Sequence, residues 1–171
     1  MTEPSLDIAA LLRSLHGAGV EHVLIGGLAV NAYGVIRSTK DIDICPAPDH
    51  ANLRRLAKIL GNIGVRQLGV ADEGFAANEM PLDPSRAEDL AAGGNFRLET
   101  PLGVLDVMQW VPGIDTDRAY DRLAPRSREA HAFGIPVRVC SLSDLRAMKR
   151  AAGRPQDLLD LADLAEAQPE A

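Results

Sequence analysis

The sequence predicts an α/β (α+β) fold in which a small mixed β-sheet is packed by helices. Short apolar runs rich in β-branched residues lie between turn residues, which is typical of buried strands. Longer segments carry apolar residues three and four positions apart, which is typical of helices with one buried face. The 171 residues suffice for one compact core, and no internal repeat divides them. We therefore expect a single domain over 1–171, with C-terminal helices within 141–167 packing on it.

The first half of the chain predicts three helices and two strands. Ser5 and Asp7 favour a helix start, and Asp49 caps a second strong helix. The predicted elements are a helix that ends at Gly17 or Gly19, a strand over 22–25, a turn at Gly26-Gly27, a helix over 28–33, a strand over 41–45, and a helix that ends at Gly61 or Gly64.

The second half predicts further strands followed by two helices. Residues 71–94 are the least regular, with a short helix starting at Asp83-Pro84 and the rest a loop over the site. Strands are predicted over 65–70, 95–99, 104–110 and 136–140, with a type I turn at Thr100–Gly103. Ser141 caps a helix that ends at Gly153, and a final helix begins with Pro155 and packs through Leu158, Leu159, Leu161, Ala162 and Leu164.

The charge distribution is uneven. The net charge of -6 argues against a general nucleic-acid coat protein. Residues 118–154 nevertheless hold nine of the 18 basic residues and only three acids, a net charge of +6. This segment is either a solvated helical face or a basic rim that meets phosphate. No apolar run reaches membrane-spanning length and no signal-peptide pattern opens the chain, so we expect a cytoplasmic protein that does not bind membranes.

A glycine pair separates the first predicted strand from the helix after it. Gly26 and Gly27 would let backbone N–H groups approach a phosphate, and the start of a helix favours an anion. The alternative is a tight turn with no ligand.

Three carboxylates interrupt predicted strands. Asp41 and Asp43 alternate with isoleucines, so both point to one side of their strand, and Asp106 breaks another apolar run. Like charges at such spacing need compensation, which a divalent cation supplies. Converging carboxylates would hold one or two Mg²⁺ ions, orient an α-phosphate and activate a hydroxyl. The alternative for the Asp-x-Asp pair is two exposed strand-end aspartates.

Four motifs in order resemble the nucleotidyltransferase fold of the polymerase-β superfamily, and in particular the small bacterial AbiEii-like nucleotidyltransferases. The resemblance covers roughly residues 20–165. The motifs are Gly26-Gly27, the run Arg37-Ser38-Thr39-Lys40-Asp41-Ile42-Asp43, the strand Gly103-Val104-Leu105-Asp106, and Lys149 followed by Gly153-Arg154-Pro155-Gln156-Asp157 and Asp160. Many members have Gly-Ser where this chain has two glycines, so a serine contact to phosphate is missing.

The resemblance implies roles for these residues. Asp41 and Asp43 would ligate magnesium, and Asp106 would join them and help activate the acceptor hydroxyl. The nucleotide-binding set would be Gly26, Gly27, Arg37, Thr39, Lys149, Arg154 and Asp157. An ion pair with a surface acid is the alternative for Arg37, and a helix junction is the alternative for Arg154 and Asp157.

The function these roles imply is transfer of a nucleoside monophosphate from an NTP to an acceptor hydroxyl. Within the family the acceptor is often tRNA or a protein, in toxin–antitoxin systems, so an antitoxin-like partner is an expectation. The alternative is a catalytically silent nucleotide-binding or partner-binding module of the same fold. An antibiotic-modifying enzyme is less favoured, because such enzymes usually carry a sizeable second domain.

Overall fold

The structure, a computed structural model, describes residues 6–68 and 83–169. Its strands are β1 (His22–Ile25), β2 (Asp41–Pro46), β3 (Arg66–Gln67), β4 (Asn95–Thr100), β5 (Gly103–Met108), β6 (Arg128–Ala132) and β7 (Ile135–Val139). Its α-helices are α1 (Ile8–Gly17), α2 (Gly26–Ala32), α3 (His50–Ile63), α4 (Ala87–Ala91), α5 (Ala119–Leu123), α6 (Leu142–Ala152) and α7 (Pro155–Ala167), with a 3₁₀ turn over Ala124–Arg126. The predicted mixed α/β fold class is confirmed.

The seven strands form one mixed sheet in the order β3-β4-β5-β2-β1-β7-β6. The pairs β2–β5 and β1–β7 are parallel, and the other neighbours are antiparallel. The centre of the sheet is therefore β5-β2-β1, which are the three strands that carry or precede the predicted site residues.

Two strands differ from the prediction. β6 was not predicted because its sequence, Arg-Glu-Ala-His-Ala, has no large apolar residue, and as an edge strand it packs on the core only through the partly buried Ala130 and Ala132. β3 comprises only residues 66–67 of the predicted 65–70, the last two of which lie outside the described residues. The predicted loop over 71–82 also lies outside them.

Helix starts follow the capping side chains where these are present. Asp7 caps α1 by accepting from the Ala10 N–H, and Ser141 caps α6 by accepting from the Asp144 N–H, as Asp49 does for α3. α3 ends at Gly64 rather than Gly61, because Gly64 takes the left-handed conformation of a helix stop. α4 begins at residue 87 rather than 83, and α5 was not predicted.

The buried face of α7 differs most from the prediction. Leu158 and Leu159 were expected to pack, but they are 58% and 59% exposed. The buried residues of the helix are Asp157, Asp160 and Leu164, because this face turns toward the cations of the candidate site. Among the described residues, no helix is long and apolar enough to cross a membrane.

Candidate active site

Three carboxylates converge from two neighbouring strands. Ile42 and Ile44 are fully buried on one face of β2, so Asp41 and Asp43 point to the other face. The parallel pairing of β2 with β5 sets Asp43 directly beside Asp106. Asp41, Asp43 and Asp106 each offer an oxygen, and these oxygens lie within 4.8 Å of one another. The structure thus brings together the three residues that the sequence nominated.

Asp43 and Asp106 share a proton. Burial and the charge of Asp43 raise the pKa of Asp106 to about 9, and burial raises the pKa of Asp43 to about 6. The hydrogen bond between the two side chains lowers the pKa of Asp43 and raises that of Asp106, so Asp106 is the protonated donor. At neutral pH the Asp43–Asp106 pair in the metal-free protein therefore carries one negative charge rather than two.

Arg97 compensates part of the remaining charge. It is not among the site residues predicted from the sequence. Its Nη1 lies 3.2 Å from Asp106 Oδ2, and its Nη2 lies 3.4 Å from Asp41 Oδ2. The sequence does contain a signal for this contact, because a two-residue hairpin loop closed by Thr100 and Gly103 places residue 97 opposite residue 106. With Arg97 in place, the carboxylate cluster is tolerated without a metal.

The glycine pair lies within the first turn of α2 rather than before it. Gly26 has φ +68°, and a Cβ there would overlap Asp43 Oδ2. A Cβ on Gly27 would overlap Arg37 Nη1 and lie 2.8 Å from Thr39 Oγ1. The start of α2 has no side-chain cap. Gly26 thus lets an uncapped helix start approach Asp43 closely, and Gly27 lets it approach Arg37 and Thr39, so side chains at these positions would displace those groups.

Arg37 and Thr39 border the glycines. Arg37 Nε pairs with the fully buried Asp160 of α7 at 3.1 Å, so its partner is a buried acid rather than the surface acid considered from sequence. Thr39 Oγ1 donates to the backbone carbonyl of Asp41 at 2.9 Å. Both side chains are thereby fixed beside the carboxylates.

The junction of α6 and α7 is a network of opposite charges. Lys149 is buried, with its Nζ 2.9 Å from Asp157 Oδ1 and 2.8 Å from Asp160 Oδ2. Arg154 Nε donates to Asp157 Oδ2 at 2.7 Å, and this pair forms a capping box at the start of α7. Burial disfavours ionisation of Asp157, but the hydrogen bonds from Arg154 and Lys149 outweigh it and lower its pKa. The helix-junction role is therefore present in the structure, and the nucleotide role of these residues stays a prediction.

These groups surround a cleft of about 910 Å³. The cleft is lined by the glycine pair, by the three carboxylates, by the cations Arg37, Arg97, Lys149 and Arg154, and by Met108, Trp110, Val111 and Pro112. Pockets of this size hold small-molecule ligands the size of a nucleotide.

The basic segment 118–154 does not present a uniform cationic surface. Arg122 and Arg126 lie 4.0 and 3.5 Å from the buried carboxylate of Asp144. Arg118 pairs with Asp121 and Arg138 with Glu129. Asp121, Glu129 and Asp144 are already counted in the net charge of +6, but Lys149 and Arg154 pair with Asp157, which lies outside the segment. These ion pairs weaken the interpretation of the segment as a rim for RNA.

Comparison with known proteins adds the fold family. No family model and no curated protein sequence matches the chain. Among solved structures, ANT(2'')-Ia in complex with adenylyl-2''-tobramycin matches with a TM-score of 0.57 and 17% identity, covering 94% of this chain and 86% of that chain. This chain has a nucleotidyltransferase fold.

Two further structures share the nucleotidyltransferase fold. The solution structure of the antibiotic-resistance factor ANT(2'')-Ia matches with a TM-score of 0.57 and 18% identity, covering 94% of this chain and 81% of that one. A nucleotidyltransferase candidate from Thermotoga maritima, TM1012, matches with a TM-score of 0.53 and 17% identity, covering 96% of this chain and 98% of that one. Because 86% of ANT(2'')-Ia in that complex is covered, the expectation of a sizeable second domain does not separate this chain from that antibiotic-resistance factor.

Proposed function

We propose that this protein transfers a nucleoside monophosphate from an NTP to an acceptor hydroxyl. The observation that carries the proposal is the convergence of Asp41, Asp43 and Asp106 within 4.8 Å at the middle of a nucleotide-sized cleft. The nucleotidyltransferase fold and the cations that line the cleft support it.

The donor set fits a divalent cation. Three carboxylate oxygens are hard ligands of the kind that Mg²⁺ prefers, and Mg²⁺ is typically bound through carboxylates plus substrate phosphates. Asp41, Asp43 and Asp106 would hold one or two such ions. When bound, the metal would neutralise charge on the phosphates and favour ionisation of a hydroxyl.

The side chains of the cleft supply the remaining steps. The N-terminal turn at Gly26 and Gly27 faces the triphosphate, and Lys149 and Arg154 place positive charge beside the leaving pyrophosphate. The acceptor oxygen forms a bond to the α-phosphorus as the bond from that phosphorus to the bridging oxygen of pyrophosphate breaks. The hydroxyl proton passes to the ionised carboxylate of Asp106.

The acceptor we favour is RNA such as tRNA, or a protein, as in the AbiEii-like enzymes that the motifs resemble. A role as the toxin of a toxin–antitoxin pair, with an antitoxin-like partner, belongs to the same proposal. An aminoglycoside is the comparison acceptor, because ANT(2'')-Ia was solved with an adenylylated one.

The test is a transfer assay with each of the four α-³²P-labelled NTPs and Mg²⁺. Total RNA, a protein lysate and tobramycin serve as separate acceptors. Label transferred to one acceptor by the wild type, and lost on the order of a hundredfold or more in Asp43→Asn, supports the proposal. The exposed Asp163→Asn on α7 is the matched control and keeps full activity.

The silent-module alternative makes a different prediction. Calorimetry would then detect Mg²⁺-dependent NTP binding while no acceptor gains label and no pyrophosphate is released. Absence of NTP binding altogether would overturn both functions.

A further inference from the structure

We propose, resting on the function proposed above, that Trp110 stacks on the base of the bound NTP and is the base-recognition residue of the cleft. Trp110 is the single tryptophan of the chain, and it is 51% exposed although it lines the cleft. Among the described residues that line the cleft, it alone carries an aromatic ring. Every nucleobase has a π-face, so stacking is the common way in which a protein holds one.

The ring lines the same cleft as the reacting carboxylates. Met108, the last residue of β5, and Trp110, two residues beyond the strand, follow Asp106 at two-residue spacing, and all three line the cleft. Because four residues of chain span at most about 14 Å, the Trp110 backbone lies within about the length of a nucleotide from Asp106. With the triphosphate near Lys149 and Arg154 and the α-phosphate at the carboxylates, the nucleoside extends toward Trp110.

The backbone of Trp110 is fixed by a buried side chain. Asn95 is 2% exposed; its Oδ1 accepts from the N–H groups of Gln109 and Trp110 at 2.8 and 3.0 Å, and its Nδ2 donates to the Trp110 carbonyl at 2.8 Å. A buried amide with all three of these bonds holds the chain in one position beyond the end of the strand.

A second contact holds the loop after Trp110 against α6. A Cβ on Gly113 would lie 2.5 Å from the Ala147 carbonyl and 3.0 Å from Ala151 Cβ, so the loop packs as closely as a glycine allows. Val111, between the two anchors, is buried. The exposed ring is therefore presented by a fixed backbone, and a pre-positioned ring needs little ordering when a base binds.

The cleft also has apolar lining residues. Val111, which follows Trp110, is one of them, and the others include Pro112, Leu145 and Met148. Apolar and sulfur-containing side chains favour a planar ring over a phosphate or a charged acceptor. This composition favours the base rather than a second anion-binding region.

The experiment uses the full chain with Mg²⁺ and NTP analogues that carry a methylene bridge between the α- and β-phosphorus, which prevents transfer. Binding is followed by calorimetry and by the fluorescence of Trp110. We expect the analogues to quench the fluorescence, and inorganic tripolyphosphate, which has no base, to bind with little quenching. Trp110→Leu should weaken analogue binding about tenfold and leave tripolyphosphate binding unchanged, and Trp110→Phe should restore most of the affinity.

The control is Phe133→Leu, an exposed aromatic residue outside the cleft, which should change neither affinity. Unchanged analogue affinity in a folded Trp110→Leu overturns the stacking role while the proposed function stands. Normal analogue binding with impaired transfer to an acceptor assigns the ring to the acceptor instead and also overturns it. If the wild type binds no analogue, the proposed function fails and this inference fails with it.

Discussion

The shared proton between Asp43 and Asp106 predicts how the stability of the metal-free protein depends on pH. Both carboxyls have pKa values above the ordinary 3.8, about 6 for Asp43 and about 9 for Asp106, because burial disfavours ionisation of both and the charge of Asp43 further disfavours ionisation of Asp106. In the unfolded chain both are ionised above about pH 5. Between pH 6 and 9 the folded protein therefore holds one proton that the unfolded chain does not.

The sign and size follow from proton linkage. A group whose pKa is higher in the folded state favours folding at low pH and loses that contribution as the pH rises through its folded pKa. One extra proton in the folded state lowers the free energy of unfolding by about 1.4 kcal/mol per pH unit. Across pH 6 to 9 the loss reaches about 4 kcal/mol at most.

Asp106→Asn removes this dependence. The amide of asparagine donates a hydrogen bond to Asp43 as the protonated carboxyl does, but it has no proton to lose in this range. We expect the unfolding free energy of the variant to be nearly independent of this pair from pH 6 to 9. Other groups also titrate in this range. The quantity to compare is therefore the slope of the unfolding free energy against pH, as the wild-type value minus the variant value.

The assay is urea unfolding in EDTA at pH 6, 7, 8 and 9, repeated with Mg²⁺. As the pH rises, the unfolding free energy of the wild type should fall relative to that of Asp106→Asn. Mg²⁺ should flatten this pH dependence by replacing the shared proton. Asp163→Asn on the exposed face of α7 is the control and should follow the wild type. Parallel curves for the wild type and Asp106→Asn in EDTA would refute the shared proton and the buried pair on which it depends.

Two other substitutions test how the cluster is supported. Gly26→Ala should destabilise the fold by about 1–3 kcal/mol and weaken Mg²⁺ binding, because a Cβ there overlaps Asp43 Oδ2 at a positive φ. The control is Gly17→Ala, which has open space around it and should be neutral or stabilising in thermal unfolding. Arg97→Met should lower the unfolding free energy by about 1–3 kcal/mol in EDTA and much less in saturating Mg²⁺, because it removes a cation that compensates the carboxylates. An equal decrease in both conditions, measured by urea unfolding, would contradict that role.

The parts of the site that the sequence predicted are those with local signals. Alternation in Asp-Ile-Asp-Ile determines which side of β2 each residue faces, whatever the neighbouring strand is. The capping side chains of Asp49 and Ser141 likewise act within three residues, so their helix starts were predicted correctly. Local chemistry is sufficient for such features because the partners are fixed by the chain itself.

Other features depend on contacts between distant segments, and of these only the convergence of the three carboxylates was predicted. The parallel pairing of β2 with β5 sets Asp43 against Asp106 across 63 residues of sequence, and periodicity alone does not indicate which strands are neighbours. Arg97 was not predicted because a single arginine in a strand is usually exposed, and its partners become evident only from the hairpin register. β6 was not predicted because an edge strand needs no fully buried apolar face.

The last helix shows why a regular pattern can mispredict a buried face. Apolar periodicity placed Leu158 and Leu159 of α7 inside, yet they are more than half exposed, and burying them fully would contribute up to about 1.5–3 kcal/mol each. The face that is buried instead carries Asp157 and Asp160, and breaking ion pairs as enclosed as theirs with Lys149 is costly.

A helix oriented for stability alone would turn the leucines inward and leave the acids in water. The observed orientation is explained by the cleft, because these two acids hold Lys149 and, through Asp160, Arg37 at its border. Apolar burial is thus given up at the place where the proposed chemistry requires fixed cations, which is where departures from local sequence rules are expected to concentrate.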